Sequence, residues 1–167
     1  MDIISHGLWG SIAFGRKRKK NFWWAFGFGI MPDLFSFGIF TVFTALGIMS
    51  GPDWSNGIPS SDSIPLFVGT LYNITHSLII FAAVFAIVWL IRKKSFLPMW
   101  AWGLHILMDI PTHSTDFFPT PFLWPFSGYR VDGISWGHPY IFFPNVVVLI
   151  VLYILFFLKK KKRKSNY

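Results

Sequence analysis

The sequence predicts an all-α fold, a polytopic transmembrane helical bundle of about four spanning helices plus a short N-terminal partial helix, forming a single integral membrane domain over residues 1–167. Three observations predict it. Hydrophobic residues make up 53% of the 167 and charged residues 13%, with a mean hydropathy of +0.51, which is too apolar for an ordinary soluble domain. The apolar residues gather in runs, several long enough to cross a hydrocarbon core of ~30 Å. Nearly all of the net charge of +8 sits in three basic blocks, at 16–20, 92–94 and 159–164, each abutting a hydrophobic run. That placement is the mark of helix ends held on the cytoplasmic side rather than of nucleic-acid binding.

Taken in order, residues 2–14 are apolar and precede their basic block, the reverse of a secretory signal. At ~1.5 Å per residue this stretch reaches only ~20 Å, so it is expected to enter the membrane part way or to lie at its surface. Residues 22–49 are long enough to span, with a kink or break expected at Pro32, which lacks an amide hydrogen and is followed at once by Asp33. The stretch 50–65 is dense in Gly, Pro, Ser, Asn and Asp and reads as a loop, with Asp53 and Asp62 in solvent. Residues 66–91 form the cleanest span, interrupted only by Asn73, Thr75, His76 and Ser77. A further helix over 96–110 is limited by Pro111. The region 111–144, rich in Pro, Gly and aromatic residues, is expected to form an ordered cap at the membrane interface, with Asp132 solvated. Residues 140–158 span again and lead into a basic tail, 159–167, whose run of cations attracts anionic lipid head groups. With the three basic blocks inside, the C-terminus is cytoplasmic and the protein is multi-pass.

Composition narrows the chemistry. All seven acidic residues are Asp and there is no Cys, which excludes HExxH motifs, thiolate metal sites, disulfides and Cys nucleophiles. Yet His6, Asp33, His76, His105 and Asp109 all lie within apolar segments. His105 and Asp109 are four apart, one turn above each other on one helix face. Counted at ~1.5 Å per residue from the nearest basic block, His6, Asp33, His76 and His105 fall ~15, ~19, ~24 and ~16 Å deep. They can therefore share one level. An ionisable group in hydrocarbon costs at least ~2.5–3.5 kcal/mol, so such groups are expected to face one another. A divalent cation satisfies neutral imidazoles and carboxylates together; His/Asp ligation without sulfur suits zinc, with manganese, iron or nickel as alternatives. Water on such a metal is acidified toward a pKa of ~7 and becomes a nucleophile for hydrolysis.

Each residue also has a plainer reading. His6 or His76 alone is an ordinary packing histidine, the His105 and Asp109 pair an interhelical hydrogen-bond pair, and Asp33 a cap for a helix beginning at Leu34. His113 and Asp116 are either an outer rim of the site or interfacial polar residues. His138, beside Trp136 and Pro139, reads as interfacial, and Arg130 either holds a phosphate or anchors a lipid head group.

The ordered set of His6, then Met31-Pro32-Asp33-Leu34, then Ile74-Thr75-His76-Ser77, then His105 to Asp109, then Pro121-Phe122-Leu123-Trp124-Pro125 resembles the bacterial membrane-bound metal-dependent hydrolase family that includes LexA-regulated inner-membrane proteins, itself distantly similar to zinc-dependent phospholipase C. The resemblance implies a metal-dependent hydrolase of the bacterial cytoplasmic membrane, with Asp33, His76, His105, Asp109 and His6 as metal ligands. The sequence departs from that pattern at Phe35 and Leu71, where the family often has Asp and His; His113 and Asp116 are candidates to replace the missing ligands. The functional expectation is therefore hydrolysis of an ester or phosphoester, with a lipid favoured, in which whichever of Asp109, His113 or Asp116 is not a metal ligand acts as base. The alternative is a non-enzymatic protein with a polar or metal-binding core, serving as an ion or proton pathway or as packing.

Overall fold

The computed structural model describes residues 1–53, 55, 59 and 63–159 with their side chains, and 160–165 as helix backbone; Asp62 lies outside the described residues. Among the described residues the fold is all-helical, without strands.

The first two helices make a hairpin. Helix α1 (Ile3–Phe14) starts where the Asp2 carboxylate accepts from the Ser5 amide at 2.9 Å, a side-chain cap for an otherwise unpaired N–H. The chain turns at Gly15 and returns as α2 (Lys19–Asp33). The two backbones touch through glycines: a Cβ at Gly29 would lie 2.5 Å from the His6 carbonyl oxygen, and one at Gly10 would lie 2.7 Å from that of Ala25. Small residues permit this approach between helices in a membrane. The contact sets His6 against α2.

The kink or break expected at Pro32 takes the form of a local irregularity: α2 runs on through a π-helical turn, Leu34–Gly38, into α3 (Ile39–Ala45), giving one apolar helix of 27 residues with a mean hydropathy of 1.5. A π turn absorbs the altered pairing that proline imposes. The Pro32 carbonyl accepts there from the Ser36 hydroxyl at 2.9 Å. Asp33 is itself helical and caps nothing.

Conversely, the span expected to be cleanest is divided. Helix α4 (Leu66–Thr75) and helix α5 (Leu78–Arg92) meet at 58° across His76 and Ser77. Ser77 caps α5 by accepting from the amides of Ile79 and Ile80 at 3.1 and 3.2 Å, and its hydroxyl donates to the Trp124 carbonyl. The Leu78 amide reaches the Phe122 carbonyl at 3.0 Å, and Trp102 Nε1 donates to the Thr75 carbonyl at 2.6 Å. Backbone groups freed at membrane depth are tolerated when protein meets them in this way.

The region expected to span over 96–110 is a short 3-10 turn, Leu97–Met99, followed by α6 (Trp100–Thr112). Thirteen residues reach only ~20 Å, so α6 is too short to cross, and the helix runs past Pro111 by one residue. It is the buried centre of the fold: Trp102 and Ile106 join Phe81 and Met99 in a core flanked by Phe28, Met31 and Leu78. Helix α7 (Pro139–Ser165) contains a second long apolar segment, Pro139–Lys159, with a mean hydropathy of 2.8. Val147, Ile150, Val151 and Ile154 on it are exposed, as lipid-facing residues are. It is tied to α1 by polar contacts of the kind that hold helices together in lipid: Trp9 Nε1 donates to Asn145 Oδ1 at 2.8 Å, Asn145 Nδ2 to Ser5 Oγ at 2.8 Å, and the Tyr153 hydroxyl to the Leu8 carbonyl at 3.0 Å. Two helices are thus long and apolar enough to cross a membrane, or three if the bent α4 and α5 pair is one span, fewer than the four expected but consistent with a membrane protein.

The α1 and α2 contact predicts a graded response to side chains added at glycine. Gly29→Val is expected to lower stability by about 1–3 kcal/mol through overpacking, whereas Gly27→Ala, where an added Cβ meets nothing within 4 Å, leaves it unchanged or slightly raised. Thermal unfolding of the detergent-solubilised protein measures both.

Candidate metal centre

Four residues from three places in the fold converge on one point. Asp33 comes from the end of α2, His76 from the break between α4 and α5, and His105 and Asp109 from successive turns of α6. One ligand-type atom from each lies within 4.8 Å of all the others. His76, His105 and Asp109 are at most 1% exposed, and the Asp33 side chain is 19% exposed, which makes it the one opening among these four. The closest approaches are His105 Nε2 to His76 Nε2 at 3.0 Å, His105 Nε2 to Asp109 Oδ2 at 3.0 Å, and His76 Nε2 to Asp33 Oδ1 at 3.4 Å.

The outer ring nitrogens decide what the inner ones offer. His105 Nδ1 is 2.6 Å from the Gly29 carbonyl oxygen. His76 Nδ1 is 3.2 Å from the Tyr72 carbonyl and 3.1 Å from the Thr75 hydroxyl, which donates its own hydrogen to the Leu71 carbonyl at 2.8 Å. A carbonyl only accepts, so both Nδ1 atoms carry hydrogen and in the neutral rings both Nε2 atoms are bare lone pairs. Two lone pairs and two carboxylates therefore point at one volume, and no donor reaches Asp109 Oδ2 in hydrogen-bonding geometry. Acceptors converging without a donor fit a cation, and carbonyls that orient the ligating imidazoles are the usual outer support of a metal site. The group can hold a metal ion, and its formal charge of −2 matches a divalent one.

His6 stands beside this group rather than in it. Its ring stacks on His105 with centroids 3.7 Å apart, and Nε2 is 2.9 Å from Asp109 Oδ1. The Met1 nitrogen lies against the same oxygen. Asp109 thus divides its carboxylate: Oδ1 faces these nitrogens and Oδ2 faces His76 and His105. His113, just past the end of α6, lies at the rim, with Nδ1 3.4 Å from Asp109 Oδ1. Asp116 is not brought to the group; it is exposed and accepts from the Ser114 hydroxyl at 3.3 Å. His138 is exposed beside Tyr140, and Arg130 Nη1 donates to the Tyr129 carbonyl at 3.2 Å. Asp53 and Asp132 are both exposed, and the Thr115 amide and hydroxyl hold the Asp132 carboxyl below the usual carboxylate range.

Tyr72 is the residue that sequence reasoning passed over. Its ring stacks on His76 at 3.8 Å, its carbonyl orients that histidine, and its hydroxyl donates to the Phe118 carbonyl at 2.8 Å. Its position four residues before His76, one helical turn away, is the signal that would have found it.

Comparison with protein-family models, curated proteins and solved structures finds no match.

Metal analysis of the purified protein tests the centre. The wild type is expected to carry a stoichiometric divalent ion, His105→Ala and Asp109→Ala to lose it, and Asp116→Ala and His138→Ala to keep it. His6→Ala removes only a support of Asp109 and is expected to weaken affinity by about 10–100-fold.

Proposed function

We propose that this protein is a membrane-embedded metal-dependent hydrolase of the bacterial cytoplasmic membrane, cleaving an ester or phosphoester, with a lipid as the favoured substrate. The observation that carries the reading is the convergence of the Asp33, His76, His105 and Asp109 acceptor atoms within 4.8 Å of one another. These residues would hold zinc, the metal best suited to a sulfur-free His/Asp set. When bound, zinc supplies Lewis acidity and ionises water near neutral pH. The chain's own contributions follow from position. His6 and the far side of Asp109 fix the carboxylate, the apolar helices limit water, and His113, at the rim and outside the four-residue group, is placed to take up a proton. Asp109 is turned toward the histidines and Asp116 is exposed on the Ser114 hydroxyl, so neither is as well placed for that role.

The family resemblance supports the same reading. The stretches that carry it meet around one point, with the Phe122 and Trp124 carbonyls bonded to the chain at the break beside His76. A lipid substrate suits a centre set among apolar helices, because the bilayer delivers it laterally. Under the positive-inside arrangement the basic tail is cytoplasmic, and a reporter fused after Lys164 is expected to read cytoplasmic.

One observation favours a second reading, a non-enzymatic metal-binding or polar core: three of the four residues are at most 1% exposed. Turnover separates the two. Assayed on a panel of phospholipids and soluble phosphoesters, the wild type is expected to hydrolyse at least one, to lose activity on chelation and to regain it with zinc. Asp109→Asn is expected to lose about 100-fold or more, and His113→Ala about 100-fold, the usual contribution of a general base. Retained metal with no turnover on any substrate would favour the structural core.

A further inference from the structure

The geometry points to a second binding site at the opposite end of α1 from the metal centre: a seat for one anionic phospholipid between the α1 and α2 turn and α7. A cavity of about 1100 Å³ lies there, above the ~300–1,000 Å³ of ordinary small-molecule pockets and so roomy enough for an acyl-bearing ligand. Its walls are apolar, formed by Trp9, Ile12, Phe22 and Phe156, with the Phe22 and Phe156 rings stacked at 6.2 Å. Its lining includes Arg16, Lys17, Arg18, Lys19 and Lys159.

Charge identifies the head group. The chain has seven acidic residues, and those described lie elsewhere: Asp2 caps the far end of α1, Asp33 and Asp109 belong to the metal centre, and Asp53, Asp116 and Asp132 sit in the connecting stretches after α3 and α6. None of the ion pairs among the described residues engages the five cations of the cavity. Among the described residues none supplies their counterion, which leaves the five cations free to meet an external anion. The occupant's other half is set by continuity. Leu155 and Phe157 line the cavity and also belong to the lipid-exposed face of α7, where they are 49% and 57% exposed. A ligand seated here therefore joins an anionic group among the cations to hydrocarbon that continues into the bilayer. Basic pockets between membrane helices on the cytoplasmic side recognise phospholipid head groups in this way, with tryptophans such as Trp9 and Trp23 at the interface. The site lies about ten residues of α1, or ~15 Å, from His6, and does not depend on what the metal centre does.

Native mass spectrometry of the full chain in nonionic detergent tests the site, with phosphatidylglycerol and phosphatidylcholine of matched acyl chains as probes. Phosphatidylglycerol is expected to bind at least tenfold more tightly, since each cation near an anionic surface contributes on the order of fivefold. Replacing Arg16, Lys17, Arg18 and Lys19 together by Gln is expected to abolish the preference, with thermal unfolding verifying the fold. The exposed single substitutions Lys19→Gln and Lys159→Gln are expected to weaken it severalfold, and they decide the matter if the quadruple variant does not fold. Ala13→Trp, which fills the cavity without altering charge, is expected to weaken phosphatidylglycerol binding as well. The proposal is overturned if phosphatidylcholine binds equally, if the Gln variants keep the preference, or if Gln at Lys161, Lys162 and Arg163 abolishes it alone, which would assign it to the tail. It is likewise overturned if inorganic phosphate binds in place of the lipid, leaving the apolar cavity without a role.

Discussion

The fold depends on two imidazoles and two carboxylates brought together at one buried point. The Gly29 and Tyr72 carbonyls orient His105 and His76 by their outer ring nitrogens, so in the neutral rings the inner nitrogens meet each other and two carboxylates as lone pairs. Left bare among apolar helices, such an arrangement is repulsive and costly to desolvate. A cation at the centre would convert that repulsion into attraction, and the surrounding packing holds the four groups together.

The irregularities of the backbone serve that arrangement. The π turn after Pro32 lets an apolar helix carry Asp33 to the centre without a break. The interruption at His76 and Ser77 turns α5 away from α4 and points the His76 ring inward. Each of these departures from regular helix frees polar groups, and each is met locally: Ser36 at the Pro32 carbonyl, Trp102 at the Thr75 carbonyl, and the cap residues Phe122 and Trp124 at Leu78 and Ser77. Helix α6, too short to cross, packs instead against α1, α2 and α5 and supplies both His105 and Asp109 from one face.

Much of the site was legible in the sequence because ionisable residues inside apolar runs are expensive and few. His105 and Asp109 could be paired by helical spacing, and a count of depth along each run was enough to bring Asp33, His76 and His6 to their level. What the count missed is instructive. It treated each run as straight, so it took 96–110 for a span where a 3-10 turn and thirteen residues of buried helix stand, and while it expected the irregularity at Pro32, it did not foresee the sharper bend at His76. A helix that can widen by one residue around a proline and a helix that ends at a capping serine look alike in hydropathy. The difference lies in which distant groups meet the freed carbonyls and amides, and the sequence does not pair Trp102 with Thr75 or Phe122 with Leu78. For the same reason His6 was read as a metal ligand, whereas it stands beside the four-residue group with Nε2 2.9 Å from Asp109 Oδ1.

The most direct test is X-ray absorption at the K-edge of zinc bound to the purified wild-type protein. The expected spectrum is a shell of nitrogen and oxygen at about 2.0–2.2 Å with no sulfur, and outer-shell scattering characteristic of imidazole from His76 and His105. A fully hydrated ion without imidazole scattering, or failure to bind zinc or any other divalent metal, would contradict a metal centre built on these residues.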